Sequence, residues 1–156
     1  MRAKIVFLDI DGVLNNPGCY RIASGAHAPA DPRCIAALNL ITDTTGALVV
    51  VSSTWRLGGL MFCREKLTEW GAHASVVDIT PRLIEQNPGG RLVVAQTRGA
   101  EIGKWLLDQE RFEIESFVIL DDDSDMDGHS NRLVQTNGAV GLTLQDAARA
   151  IQMLTT

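Results

Sequence analysis

The stretch KIVFLDIDGVL (residues 4–14) decides the fold of this chain. It begins with an apolar run that lacks two-residue alternation, which is typical of a strand covered on both faces. The run ends in two aspartates, Asp9 and Asp11, that flank Ile10. Side chains alternate along a strand, so we expect the two carboxylates on one side and Ile10 in the core. The first strand is therefore predicted to end in a pair of acidic groups.

Strand-like runs and helical patterns alternate along the rest of the chain. Strands are predicted at residues 47–53, 74–80, 116–121 and 139–143, and helices at residues 31–46, 60–71, 99–112 and 144–154. This order predicts an α/β three-layer sandwich with a mainly parallel, Rossmann-like sheet between helices. Because 156 residues with 46% hydrophobic content suit one core, we expect a single domain over residues 1–156. The loop-rich segment 16–32 is a candidate flap over the site.

Composition excludes several classes of protein. The three cysteines are irregularly spaced, which fits neither a disulfide framework nor a zinc pattern and favours a cytoplasmic location. No apolar stretch approaches transmembrane length, so no membrane partner is expected. The formal net charge of -5 argues against a protein that coats duplex nucleic acid, but it leaves open a local grip on a short strand.

Polar residues follow three of the predicted strands, at the edge where an open parallel sheet binds ligands. Asp9 and Asp11 follow the first strand, Ser52 and Ser53 the second, and residues 121–123 the run at 116–121. Carboxylates from two strand ends would repel each other unless a cation lay between them, and hard divalent ions prefer oxygen ligands. The sequence therefore predicts a Mg²⁺ site at this edge.

Four segments resemble, in order, the motifs of the haloacid dehalogenase-like (HAD) phosphohydrolases over roughly residues 5–126. They are FLDIDGVL, VVVSS, the Arg98-Gly99 pair that opens a helix, and VILDDDSDM. The combination FLDIDGVLN, VSSTWR, RGAEIGKWL and VILDDDSDM is more narrowly similar to the small HAD domains of Swiss Army Knife RNA-repair proteins. The resemblance implies a HAD-like fold and phosphatase chemistry through an aspartyl-phosphate.

The resemblance also implies a role for each residue of the first motif. Asp9 would be the nucleophile that attacks phosphorus, and Asp11 would protonate the leaving oxygen and then activate water. Gly12 would let the backbone turn sharply, so that main-chain N–H groups face the phosphoryl oxygens. Mg²⁺ would be held by the Asp9 carboxylate, the Asp11 main-chain carbonyl and an acid from residues 121–125.

The hydroxyl and cationic positions stay open between neighbouring residues. Either Ser52 or Ser53 fits the second motif, with Ser53 slightly favoured. The third motif is usually a lysine, which makes Lys104 a candidate, but Arg98 occupies the expected place at the start of a helix. A guanidinium can bind two phosphoryl oxygens at once, so we favour Arg98. Arg56 and Lys104 are kept as candidate substrate-binding residues.

The acidic segment offers more metal ligands than one site needs. Asp121 and Asp125 have the family's four-residue spacing, whereas Asp122 could supply a ligand directly. We rank Asp121 and Asp122 as the ligands and Asp125 as a supporting residue.

The short segments between the motifs leave no room for a large lid, so the resemblance implies a minimal cap domain or none. An open site suits a bulky phosphomonoester, such as an RNA or DNA end, although a nucleotide is also considered. We therefore expect a Mg²⁺-dependent phosphatase, acting on nucleic-acid 3′ ends in repair or on nucleotides. The alternative is a HAD-fold binding or regulatory module without significant catalysis.

Overall fold

Strand β1 (Arg2–Leu8) is the centre of a five-stranded sheet in a computed structural model that describes residues 1–22, 29–86, 88–94 and 97–156. Its neighbours are β2 (Leu48–Val51) on one side and β6 (Glu113–Asp121) on the other, both parallel to it. Strands β3 (Val76–Ile79) and β7 (Leu133–Gln135) extend the sheet in the order β3-β2-β1-β6-β7. All pairings in this sheet are parallel.

Helices cover both faces of the sheet because the side chains of β1 alternate between two apolar clusters. Val6 and Leu8 pack in one cluster with residues of α2 (Pro32–Thr45), α3 (Leu60–Glu69) and α5 (Leu144–Thr155), whereas Ile5 and Phe7 pack with residues of α4 (Arg98–Asp108). The predicted three-layer α/β sandwich with a parallel Rossmann-like sheet is thus confirmed. Among the described residues, no helix is both long enough and apolar enough to span a membrane.

The edge of the sheet beyond β6 differs from the prediction. The predicted strand at residues 139–143 is wrong: Asn137 and Gly141 form only an isolated bridge. Gly141 has a φ of 85°, and a Cβ there would lie 2.6 Å from Cys34 Sγ, so the segment turns against α2 instead of extending. The edge strand is the three-residue β7, which follows a short 3₁₀ helix at Ser130–Arg132.

The insertions around the site are small. Between β3 and α4, where the sequence predicted no strand or helix, β4 (Ile84–Gln86) and β5 (Leu92–Val94) form an antiparallel hairpin. This hairpin fits the expectation of a minimal cap. In the predicted flap at residues 16–32, α1 (Pro17–Ile22) is a short helix, and residues 23–28 lie outside the described residues.

Candidate active site

Two acidic strand ends meet because β1 and β6 run side by side in register. Leu8 is paired with Leu120, and the Asp9 N–H donates to the Leu120 carbonyl at 3.0 Å. Carboxylate oxygens of Asp9, Asp121 and Asp122 lie within 4.8 Å of one another. Asp9 and Asp121 are 5% and 0% exposed, whereas Asp122 is exposed. The convergence expected from the sequence is therefore present in the fold.

Arg98 joins the two buried carboxylates. Its Nη1 lies 3.0 Å from Asp9 Oδ1 and 2.8 Å from Asp121 Oδ2. The position follows from the start of α4, where the Thr97 side chain caps the helix and Asp125 Oδ2 accepts from the Arg98 N–H at 3.2 Å. Asp125 thus fixes the helix end that carries Arg98 and is not one of the three clustered carboxylates.

One guanidinium does not neutralise this cluster. The pKa of Asp9 is raised to about 8, chiefly by burial and then by the charge of Asp121, while Arg98 opposes the change. Burial also raises the pKa of Asp121, again against the effect of Arg98. A divalent cation would favour the ionised form of both groups, and a donor set made only of carboxylate oxygens suits a hard ion such as Mg²⁺. The residues present therefore fit the predicted metal.

The carboxylate of Asp11 is held at both of its oxygens. Asn15 Nδ2 donates to Oδ1 at 3.0 Å, and Trp55 Nε1 donates to Oδ2 at 3.1 Å. Trp55 also packs against Trp70 edge-on, with ring centroids 5.3 Å apart. Nothing in the local sequence pattern links Trp55 to Asp11, which lies 44 residues away. The signal for Asn15 was present in its position four residues after Asp11, within one turn.

Gly12 occupies a turn that a side chain would block. Its φ is 81°, and a Cβ would lie 2.3 Å from Asp122 Oδ2. The Gly12 N–H donates to Asn15 Oδ1 at 3.0 Å, and its carbonyl accepts from Thr136 Oγ1 at 2.8 Å. The glycine therefore lets Asp122 approach the first strand end, while Asn15 already engages its N–H group.

Ser52 and Ser53 are both fully buried at the end of β2, but their hydroxyls differ. Ser53 Oγ accepts from the Trp55 N–H at 3.2 Å and caps the 3₁₀ helix Thr54–Gly58. Ser52 Oγ has no hydrogen-bond partner among the described residues. A buried hydroxyl without a partner is uncommon, so Ser52 is the better candidate for a ligand contact.

The two candidate substrate-binding cations have other partners. Arg56 is 6% exposed; its Nη1 donates to the Ser52 and Ser53 carbonyls at 3.0 and 2.9 Å, and its Nη2 donates to both Glu101 oxygens at 2.9 Å. Lys104 pairs with Asp108 at 2.6 Å on the exposed side of α4. The structure brings neither side chain to the carboxylate cluster.

The fold is a three-layer α/β sandwich with a parallel sheet. At the carboxyl ends of its strands, an Asp-x-Asp-Gly turn lies beside a second acidic strand end, and this combination is typical of the HAD-like class of α/β proteins. A family model described as the HAD domain in Swiss Army Knife RNA repair proteins matches residues 5–147, and the chain belongs to this family. The comparison with curated proteins found no match, and neither did the comparison with solved structures. Family membership supports a phosphatase-like role in general terms.

Proposed function

We propose that this protein is a Mg²⁺-dependent phosphatase that works through an aspartyl-phosphate on Asp9 and acts on phosphomonoesters at nucleic-acid 3′ ends or on nucleotides. The observation that carries the proposal is the cluster of Asp9, Asp121 and Asp122 beside Arg98. Few structural roles require three carboxylates, two of them buried, at the ligand-binding edge of a parallel sheet.

In the first step, the ionised Asp9 Oδ attacks phosphorus, and the bond between phosphorus and the leaving oxygen breaks. Arg98 orients the nucleophile through Asp9 Oδ1 and is a second cationic partner for the phosphoryl oxygens. The buried Ser52 hydroxyl is proposed to donate to one of these oxygens, since it has no partner among the described residues. The product of this step is an acyl phosphate, in which a carboxyl oxygen of Asp9 is bonded to phosphorus.

Asp11 is proposed to manage the proton in both steps. It first gives a proton to the leaving oxygen, which departs as an alcohol, and then takes a proton from the water that attacks phosphorus. The second attack breaks the bond between phosphorus and the Asp9 oxygen and releases phosphate. Trp55 and Asn15 hold Asp11 in place for this work, which is worth about 10²- to 10⁴-fold in rate.

Mg²⁺ would be held by the carboxylates of Asp9, Asp121 and Asp122 and by the Asp11 main-chain carbonyl. When bound, it supplies positive charge that offsets the repulsion between an anionic nucleophile and an anionic phosphate.

The test is hydrolysis of p-nitrophenyl phosphate with Mg²⁺ and with EDTA. We expect turnover only with Mg²⁺, and we expect Asp9→Asn and Asp11→Asn to fold normally but to lose at least about 10²-fold in kcat. Asp43→Asn is the matched control, because Asp43 is an exposed carboxylate that pairs with His73 away from the site. Beryllium fluoride with Mg²⁺ should bind at the Asp9 carboxylate as a phosphate analogue. It should therefore raise the unfolding temperature of the wild type but not that of Asp9→Asn.

Retention of turnover by Asp9→Asn would refute the assigned nucleophile. Inactivity of the folded wild type towards nucleotides and 3′- and 5′-phosphorylated oligonucleotides, as well as p-nitrophenyl phosphate, would favour the alternative of a binding or regulatory module.

A further inference from the structure

A second arginine lines the cavity beside Arg98. The cavity has a volume of about 170 Å³, and its walls include Arg98, Arg82, Leu57 and Thr54. Arg98 contacts the proposed nucleophile Asp9 at 3.0 Å, so this space adjoins the reacting centre. Arg82 belongs to the segment between β3 and the β4–β5 hairpin and is exposed. A group that extends from a phosphate at Asp9 into this cavity therefore meets Arg82.

Three guanidinium groups lie close together around this cavity. Burial lowers the pKa of Arg56, Glu101 opposes this change, and the charges of Arg98 and Arg82 both add to it. Arg56 is neutralised by Glu101, and Arg98 is shared by Asp9 and Asp121. Arg82, in contrast, forms no ion pair or hydrogen bond with any residue that the structure describes. Of the three guanidinium groups, Arg82 is therefore the one whose charge no described carboxylate offsets, and this charge is available to a ligand.

The size of the cavity limits what it can hold. Pockets that enclose a whole small molecule measure roughly 300 to 1,000 Å³, so 170 Å³ suits a single group such as a phosphate. A neighbouring cavity of about 550 Å³ shares Leu57 and Arg82 with it and is also lined by Pro81 and Trp105. Leu57 is 60% exposed, so an apolar surface lies next to the two arginines. A ligand with a phosphate in the small cavity can continue past Leu57 into the larger one.

We propose that Arg82 binds a second phosphoryl group of the substrate, so that the site prefers a nucleoside with phosphates on both its 3′ and 5′ oxygens to one with a single phosphate. This inference rests on the proposed phosphatase function, because Asp9 defines where the first phosphate reacts. A nucleoside 3′,5′-bisphosphate and the phosphorylated end of an oligonucleotide share this chemistry. Arg82 is thus the residue that distinguishes a nucleic-acid end from a simple phosphomonoester.

The test compares kcat/KM for four substrates: p-nitrophenyl phosphate, a nucleoside 3′-monophosphate, the corresponding 3′,5′-bisphosphate and a 3′-phosphorylated trinucleotide. For the wild type we expect the bisphosphate to exceed the monophosphate by about tenfold or more, which is the effect of one charge-assisted contact. In Arg82→Gln this ratio should fall about tenfold, and in Arg82→Lys it should fall less. A trinucleotide that exceeds the bisphosphate would identify the polymer end as the better source of the second phosphate, and the reverse order would identify the free nucleotide.

Arg2→Gln is the matched control. Arg2 is an exposed arginine that pairs with Glu113. It lies at the start of β1, whereas Asp9 follows the other end of this strand. Its replacement makes the same change in net charge and should leave the substrate ratio at the wild-type value. If Arg2→Gln lowered the ratio as much as Arg82→Gln, the preference would reflect overall charge and the inference would be wrong.

A binding measurement separates this inference from the proposed function. Calorimetry on Asp9→Asn, which removes the nucleophile, should show binding of the bisphosphate about tenfold tighter than in Asp9→Asn/Arg82→Gln. Equal affinities would overturn the second phosphate site, whatever the activity of the wild type. The opposite outcome is a wild type without any turnover, together with tighter binding of the bisphosphate by Asp9→Asn than by Asp9→Asn/Arg82→Gln. This outcome would reject the phosphatase activity and support the role of Arg82 in binding.

Discussion

Glu101→Gln should destabilise the protein severely, because Glu101 neutralises a buried cation. The side chains of Arg56 and Glu101 are each 6% exposed, and both Glu101 oxygens lie 2.9 Å from Arg56 Nη2. Glu101 Oε2 also accepts from the Leu83 N–H at 3.1 Å. The substitution leaves one oxygen for these donors and an uncompensated charge, and breaking a buried pair costs about 3–5 kcal/mol. We expect a loss near the lower limit, about 3 kcal/mol, because the amide oxygen keeps one hydrogen bond.

Urea unfolding monitored by circular dichroism measures this loss. The transition midpoint should fall with an unchanged slope, since the amount of surface exposed on unfolding stays the same. Arg56→Met should cost a similar amount, whereas Arg56→Met/Glu101→Gln should cost much less than the sum of the two single variants, because no buried charge remains. Asp108→Asn is the control: it removes an exposed pair with Lys104 and should change the stability by less than about 0.5 kcal/mol.

Two results would refute the reasoning. One is a loss below about 1 kcal/mol in Glu101→Gln, which would mean that water or another group solvates Arg56. The other is a double variant as unstable as the sum of the single variants, which would mean that the two side chains act independently.

Three further predictions concern the site and the core. Trp55→Phe removes the donor to Asp11 Oδ2 and should lower kcat on p-nitrophenyl phosphate about tenfold with little change in the urea midpoint; an unchanged kcat would mean that Asn15 alone positions Asp11. Gly12→Ala should cost at least about 1 kcal/mol more than Gly46→Ala in urea unfolding, because both glycines have positive φ but only Gly12 faces a contact, Asp122 Oδ2; equal costs would contradict the close approach. Burial raises the pKa of the Cys34 thiol from 9.0 to about 11, so the folded protein favours the protonated thiol. The stability that the buried thiol contributes is therefore complete below about pH 9 and is lost as the pH rises to about 11. Iodoacetamide labelling followed by mass spectrometry should show Cys34 unreacted in the folded protein at pH 8 and modified in urea, whereas rapid modification of the folded protein would contradict this.

The sequence predicted the elements whose local pattern and tertiary environment agree. The central strands are apolar runs because both of their faces are covered, and α2 has the Asp31-Pro32 start and Gly46 stop that its sequence indicated. Strand β7 was missed because its three residues are extended only through their pairing with β6. The apolar residues at 139–143 predicted a strand. Leu142 is apolar because it is buried in the core, but it follows a turn and is not part of a strand.

The site was predictable where chemistry lies at strand ends and unpredictable where it depends on distant partners. Placing Asp9 and Asp121 together required only the rule that parallel strands end at one edge. Nothing in the sequence pairs Arg56 with Glu101 or places Thr136 on the Gly12 carbonyl, since these partners are 45 and 124 residues apart. Ser52 and Ser53 are equivalent candidates in the sequence. Only the structure distinguishes them, because the Ser53 hydroxyl caps the following 3₁₀ helix and the Ser52 hydroxyl does not.

The position of β1 between β2 and β6 has a consequence for how the protein is made. On the ribosome, β1 emerges well before β6, so one of its edges has no partner until residues 113–121 have been synthesised. During that time the nascent chain exposes an unpaired, strongly apolar edge, which is a template for aggregation. Completion of the centre of the sheet and completion of the acidic site are the same event, so binding of a phosphate analogue to a stalled chain would report when β6 has docked.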